Sequence, residues 1–303
     1  MAFKDLRKTG AALREKYVTE ADKQKTANKK QVDNRFWQPT VDAQKNGTAT
    51  IRFLPPKDGE NMPWVRLWRH SFKGKTGQWY IENSLTTIGE TDPVSEYNTT
   101  LWDSGDEELK NQARNQKRRV LYIANILVVS DPKNTQNEGK VFLYSFGQKI
   151  FEKIMEAMKP EDPTEDGFNP FDFWQGADFK IVVKDVSGFR NYDKSKFVTP
   201  KALFNGDEAE LETVYNQLYS LEEFVNPKNF KSYDELKKRL NRVLGLGGSD
   251  KPALKVTDGG KSTKSATKSQ KVEVEEVEDT DTSSVEDDTD ELLDELDELA
   301  DEV

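Results

Sequence analysis

The sequence predicts a mixed β/α chain: a small β-barrel-like core with added helices, a basic N-terminal arm and a disordered acidic C-terminal tail. Three observations predict it. Runs of alternating apolar and polar residues recur through the middle of the chain, separated by turn residues. Helical spacing occurs in one insert among those runs and in two segments behind them. Charge is divided unevenly. The 303 residues carry a formal net charge of −10, yet residues 272–303 hold 17 Asp and Glu and no Lys or Arg, leaving 38 acidic against 45 basic residues, or +7, in the remainder. A basic body with an acidic end suits nucleic-acid binding with an acidic tail. A solvated surface with a solubilising tail accounts for the same charges.

Residues 1–30 are polar and basic, with Phe3, Leu6, Leu13, Tyr17 and Val18 as the main large apolar residues. So little apolar surface cannot offset the entropy of ordering, so this segment reads as an arm, partly helical around 10–17, that orders on binding. Globular composition runs from 31 to 248. Residues 48–54 alternate and stop at Pro55-Pro56, a strand with an end signal. Residues 64–72 alternate apolar with basic or polar side chains, a half-buried strand with a basic face; 74–77 turn, and 78–82 return as a hairpin partner. Residues 120–129 form a long apolar strand, expected to be central. A turn over 131–139 leads into a strand over 140–146, and 148–158 read as a helix with Ile150, Phe151, Ile154 and Met158 on one face. Residues 179–186 are a further strand.

Two helices close the core. One spans roughly 207–221. The other starts at Ser232 with a capping box to Glu235, because the serine oxygen and the glutamate satisfy each other's free amides. Leu236, Leu240, Val243 and Leu244 form its apolar stripe and Gly245 its stop. Strands with one inserted helix and trailing helices point to an OB-like barrel. Residues 249–271 form a Lys/Ser/Thr/Gly linker, and 272–303 an acidic tail whose composition cannot offset chain entropy. In that tail Leu292, Leu293, Leu296 and Leu299 fall on one side of a potential helix.

Enzyme readings fail cheaply. Gly74-Lys75-Thr76 and Gly260-Lys261-Ser262 end like phosphate-binding loops, but Arg69 and Lys255 stand where the leading glycine is required. One His and no Cys exclude His-pair zinc sites and Cys–His catalysis, and no acidic pair in the core stands out. No apolar run approaches the roughly 18 residues of a membrane helix, and the first residues lack the apolar stretch of a signal peptide. A soluble, cytoplasmic protein is expected.

Three basic–aromatic clusters remain. The first is Arg66-Leu67-Trp68-Arg69, near Arg52 of the preceding strand; the second is Lys117-Arg118-Arg119 followed by Tyr122; the third is Phe189-Arg190-Asn191-Tyr192. Cations attract phosphates and displace counterions, and aromatic faces stack on unpaired bases without reading sequence. Trp68 and Tyr122 fit a core equally well, and 117–119 fit a solvated strand entrance. Phe189 and Tyr192, in a Ser-Gly and Asn-Asp loop context, are harder to explain as core.

With these residues assembled, the chain resembles the single-stranded DNA-binding (helix-destabilising) proteins of T4-like bacteriophages. The resemblance is carried by Ala49-Thr50-Ile51-Arg52-Phe53-Leu54-Pro55, Gly77-Gln78-Trp79-Tyr80-Ile81-Glu82, Ala124-Asn125-Ile126-Leu127-Val128-Val129, Asn137-Glu138-Gly139-Lys140-Val141-Phe142 and Val186-Ser187-Gly188-Phe189, continuing through Asn191-Tyr192-Asp193-Lys194-Ser195-Lys196-Phe197. It implies an OB-fold core that binds DNA, an arm for cooperative self-association and an acidic tail that recruits replication and recombination proteins such as polymerase, helicase loader and recombinase mediator, all in the cytoplasm of an infected bacterium. By position, Arg52, Lys117, Arg118, Tyr122, Phe189 and Tyr192 match family residues implicated in DNA binding, and Trp102 falls near a family aromatic. The resemblance assigns self-association to Lys4, Arg7 and Lys8, and the terminal leucines are expected to meet partners. An RNA-binding protein or RNA chaperone is the alternative, and an acidic-tailed scaffold a third class.

Two departures stand out. The family has a zinc subdomain with one His and three Cys; here His70 keeps the His position while Ser84, Asp92 and Ser95 occupy the Cys positions. Serine offers no thiolate, so no metal cofactor is expected, and the region is expected to be held by packing of Trp64, Trp68, Trp79 and Tyr80. The basic run 117–119 continues into Val120-Leu121 rather than Ser/Thr, and the arm spreads its charge over Lys4, Arg7, Lys8 and Thr9.

Overall fold

A computed structural model of the chain describes residues 33–186 and 188–246, with Arg14 and Val18. Lys4, Arg7 and Lys8 of the arm, the linker 249–271 and the tail leucines Leu292, Leu293, Leu296 and Leu299 lie outside the described residues.

Nine strands form one mixed sheet: β1 (Phe36–Trp37), β2 (Gly47–Phe53), β3 (Trp64–Lys73), β4 (Trp79–Asn83), β5 (Arg119–Ser130), β6 (Val141–Phe146), β7 (Asp178–Val186), β8 (Phe189–Asn191) and β9 (Lys196–Phe197). Among residues 33–246 the described α-helices are α1 (Pro93–Asp103), α2 (Glu107–Asn115), α3 (Gln148–Met158), α4 (Glu208–Tyr215) and α5 (Tyr233–Leu244). Strand order along the main path is β1-β6-β5-β2-β7-β8, antiparallel throughout except that β1 runs parallel to β6. Among the described residues no pairing joins β7, β8 or β9 back to β6, so backbone hydrogen bonds leave the sheet open.

β5 is central, as its unbroken apolar run predicts. Its first half pairs with β3 and its second half with β2 on one edge, while β6 takes the other edge. Both faces are covered, which is why alternation is lost there. One face sends Tyr122, Ala124, Ile126 and Val128 into a core shared with Ile51 and Phe53 of β2, Tyr144 and Phe146 of β6, Phe179, Ile181 and Val183 of β7, and Ile150 and Ile154 of α3. Four strands facing one cluster means that the sheet curls around it. The opposite face packs Leu127 against α4 and its flanks, and Leu121 and Ile123 against Leu221. Asn125 is the buried polar residue of β5. Its amide donates to the Tyr219 carbonyl at 2.9 Å and accepts from the Tyr219 amide at 3.0 Å, tying the segment after α4 to the strand.

β3 leads out of this sheet. Trp64 to Arg69 pair with β5, and Arg69 to Lys73 pair with β4, so the hairpin projects as a second lobe. Phe72, Tyr80, Val94, Leu240, Val243 and Leu244 form its small core between the hairpin, α1 and α5. Gly74 is required in the turn: a Cβ there would sit 2.2 Å from the Val243 carbonyl oxygen. The capping box of Ser232 and Glu235 is present, and Gly245 ends α5 with φ 74°.

Sequence alone assigns no element between 83 and 116; Asp92, with Pro93 behind it, and Asp106 cap α1 and α2 there and were the readable signal. Two expectations need correction. The helix expected over 207–221 ends at Tyr215; beyond it Leu218 enters the cluster with Leu127 and Leu221 the one with Leu121 and Ile123. Trp64 does not hold the second lobe; its ring packs on Phe151 and Phe171 of the sheet core, 5.5 and 5.3 Å away.

Candidate nucleic-acid interface

The first two basic–aromatic clusters meet where β3 crosses β5, and the pleat sorts them. Cross-strand partners share a face. Arg66 opposite Tyr122 and Trp68 opposite Val120 lie on one face, while Arg69 opposite Arg119 lies with Leu67 and Leu121 on the other. On the first face the Arg118 guanidinium lies 4.4 Å from the centre of the half-buried Trp68 ring, and that of exposed Arg66 lies 5.4 Å from it. Lys117, the residue before Arg118, is exposed. Burial lowers the pKa of Arg118, Asp92 opposes that shift, and the neighbouring Arg66 adds to it. Two cations crowded over one indole form a place where an anion relieves repulsion and a flat base finds a π-surface. Arg69 and Arg119 are half-buried on the far face and cannot join this pair without turning the strand over.

The third cluster divides as well. Val186 pairs with Phe189 at the end of the β7–β8 hairpin, and both are exposed, Phe189 at 37%. Arg190 is buried, with its guanidinium 3.4 Å from the Gln38 side-chain oxygen. Tyr192 is 2% exposed and belongs to the sheet core, contrary to its loop context, because the turn closed by Ser195 N–H to the Tyr192 carbonyl folds the ring inward. Tyr122 is likewise core. Its ring stacks on Phe151 at 3.9 Å, and its hydroxyl donates to Gln148. Trp102 is 46% exposed on α1, flanked by Lys110 at 5.9 Å and Arg114 at 5.2 Å from α2. Those two cations were not singled out from sequence; their i, i+4 spacing behind Trp102 was the available signal.

Arg52 is the clearest correction. It is fully buried, donates to the carbonyls of Asp172 at 3.0 Å and Lys201 at 2.9 Å, and pairs with Asp178 at 3.4 Å. Burial pushes its pKa down and Asp178 opposes that shift. Its β2 neighbours Ile51 and Phe53 face the core, so Arg52 points to the opposite face, where the 172–173 loop and Lys201 cover it. It holds the fold together and has no path to a ligand phosphate.

The remaining feature lies in the second lobe, at the four positions that matched zinc ligands. His70 Nε2 is 3.0 Å from Asp92 Oδ1, and His70 Nδ1 is 3.1 Å from the Gln116 carbonyl. Asp92 Oδ1 also accepts the amides of Val94 and Ser95, both at 3.0 Å, while Oδ2 accepts the Leu85 amide at 3.2 Å. Burial alone would raise the pKa of this carboxylate; hydrogen bonds from His70, the Ser95 amide and Ser84 outweigh burial and bring it to about 2. Ser84 is buried with its hydroxyl 3.0 Å from that of Thr86. Both imidazole nitrogens and both carboxylate oxygens are thus engaged by protein partners, and two of the other donors are neutral hydroxyls. This set does not fit a zinc ion. Among the described residues no group of three His, Cys, Asp or Glu suits a metal.

A separate cavity of about 330 Å³ lies between Pro55, Pro56, Trp64, Met158, Phe171 and Trp174. Trp174, exposed at its rim, was not picked out from sequence, since nothing in its local pattern separates a surface Trp from a core one. No helix among the described residues is long and apolar enough to cross a membrane.

Comparison with known proteins converges on one group. Residues 45–244 match the family described as gp32 DNA binding protein like. The chain is 42% identical over 237 residues to the single-stranded DNA-binding protein of Enterobacteria phage T2, covering 75% of this chain and 76% of that one. It is 41% identical over the same length, with the same coverage, to the single-stranded DNA-binding protein of Enterobacteria phage T4. A shorter match, 46% over 67 residues, covers 22% of this chain and 58% of the single-stranded DNA-binding protein of Escherichia phage SV14.

Proposed function

The chain belongs to the gp32-like DNA-binding protein family, and we propose that it binds single-stranded DNA, largely without regard to sequence, and coats unpaired strands during phage replication, recombination and repair. Binding, not catalysis, is the activity. The observation that carries the reading is the Trp68 ring under Arg118 and Arg66, where β3 meets the start of β5. A base that stacks on this surface contributes about 1–3 kcal/mol, and each phosphate neutralised releases counterions. Phe189, at the end of the β7–β8 hairpin, offers a second stacking surface, and Trp102 with Lys110 and Arg114 a third.

The strands β6-β5-β2-β7-β8 curl around one core with α3 between β6 and β7 and a seam left open, which supports reading the sheet as an OB-like, partly open barrel. The second lobe works without zinc, since its donor set is consumed by its own hydrogen bonds. Lys4, Arg7 and Lys8 of the arm promote cooperative self-association on DNA. The acidic tail competes with DNA for the basic face at high effective concentration; once displaced, it presents Leu292, Leu293, Leu296 and Leu299 to replication and recombination proteins. The protein acts in the cytoplasm of the bacterial host.

Competition of poly(dT), poly(U) and duplex DNA for the purified chain tests the reading. Poly(dT) should bind most tightly, quench tryptophan fluorescence and weaken steeply with salt. Equal affinity for duplex in moderate salt would overturn it, and a preference for poly(U) would move the protein to RNA.

A further inference from the structure

Asp92 stands at the junction of two chains of hydrogen bonds, and each ends on one member of the Trp68–Arg118 pair. The first runs through Leu85. Asp92 Oδ2 accepts the Leu85 amide, which opens the short turn Leu85–Ile88. From this turn the Thr87 hydroxyl accepts the Trp68 amide at 2.8 Å, and the neighbouring Ser84 amide donates to the Trp68 carbonyl at 2.7 Å. The second runs through His70. Asp92 Oδ1 holds His70 Nε2, and His70 Nδ1 meets the carbonyl of Gln116. Gln116 ends α2 and stands two residues before Arg118. Its carbonyl also accepts the Asn98 amide at 3.0 Å, so α1 grips the same point. One buried carboxylate therefore fixes the backbone beneath the indole and the backbone that delivers the guanidinium.

We infer that Asp92, acting with His70, is a positioning residue for single-stranded DNA binding: it sets Arg118 over Trp68 through hydrogen bonds alone, with no metal in the lobe. The inference rests on the proposed single-strand binding face. Neither residue touches DNA; His70 is 1% exposed and Asp92 2%. Their effect on affinity passes through Arg118 and Trp68, and this separates positioning from general support of the fold.

A double-mutant cycle on the full chain tests it, with an oligothymidylate of about eight nucleotides, within the site size of a single OB-like domain. Asp92→Ser keeps an N-cap oxygen for α1 but lacks Oδ2, which accepts the Leu85 amide, and the negative charge on the oxygen that His70 Nε2 meets. It should bind about tenfold more weakly, one charged contact's worth. The slope of log K against log salt should become shallower by about 0.7, the share of one phosphate on a single strand. Arg118→Ala should show the same two changes, and the double variant should be no weaker than Arg118→Ala alone. If Asp92→Ser does not give the native near-UV circular dichroism, Asp92→Asn, which keeps the size and one acceptor oxygen, enters the same cycle. Unchanged affinity in a folded Asp92 variant overturns the inference, and so do losses that multiply with Arg118→Ala. Recovery of the slope on adding zinc would also overturn it. Failure of the unaltered chain to bind the oligonucleotide overturns the functional reading itself.

Discussion

The curled sheet and the hairpin lobe solve the same problem by different means. The sheet is held by redundancy: Phe53 alone lies within 5.5–6.2 Å of the rings of Phe146, Phe171, Phe179 and Phe197. Many small dispersion gains share the burden there, and the cluster has no polar atom on which everything hangs. The lobe has only a small apolar core and organises itself around one buried carboxylate. A polar hub of this kind specifies geometry sharply, but every bond it makes fails together if the carboxylate is lost. The difference teaches where rigidity and vulnerability sit. The sheet supplies stability, and the lobe lies behind the Arg118–Trp68 pair of the proposed binding face.

Breaking the sheet should cost most. Phe53→Ala should destabilise the whole domain by roughly 3–5 kcal/mol, read as a shift in the midpoint of denaturant unfolding followed by both far-UV signal and tryptophan emission. Coincident transitions are expected; loss of the lobe alone would contradict the assignment of Phe53 to the shared core. Arg52→Met comes next. It removes one side of a buried ion pair with Asp178, at a cost of about 3 kcal/mol, while leaving the salt slope of DNA binding unchanged. A shallower slope in this variant would return Arg52 to the interface.

Acid should separate the two regions. The Asp92 pKa falls from its ordinary 3.8 to about 2 in the folded protein. A carboxylate with a lowered folded-state pKa stabilises above its unfolded pKa, and that contribution is lost as pH falls through the folded one. The lobe should therefore lose about 2 kcal/mol between roughly pH 4 and pH 2, and amide exchange there should quicken before it does in β2, β5 and β7. Simultaneous loss of protection in both regions would break the comparison. The smallest effect is expected at the hairpin end. Phe189→Ala should change stability by less than about 0.5 kcal/mol, yet weaken binding to oligothymidylate by about 1 kcal/mol, the low end for one stacked base. Fluorescence titration and thermal melting in parallel would check both halves of that statement.

What could be read from the chain was whatever depends on near neighbours. Alternation marked β2 and β3, apolar runs marked β5, β6 and β7, the spacing of Ile150, Phe151, Ile154 and Met158 marked α3, and the Ser232–Glu235 capping box with Gly245 marked both ends of α5. The parallel pairing of β1 with β6 has no such mark, since two residues carry no period. The same limit applied to the interface. Side-chain chemistry selected Arg66, Trp68, Lys117 and Arg118 and, equally, Arg52, Tyr122 and Tyr192.

The sequence by itself determined that basic and aromatic residues are interleaved on strands, that no cysteine is present to hold a zinc ion, and that a +7 body carries a 17-carboxylate tail. Only tertiary structure decided which of those residues face outward. Arg52 turned in because the 172–173 loop and Lys201 bring carbonyls to it, and Tyr192 because a turn folds it back onto the core. Arg118 lies over Trp68, and Asp92 and His70, separated in sequence, meet behind them. Periodicity fixes the side of an element on which a residue lies, but what covers that side comes from distant segments, and burial is settled only when they pack.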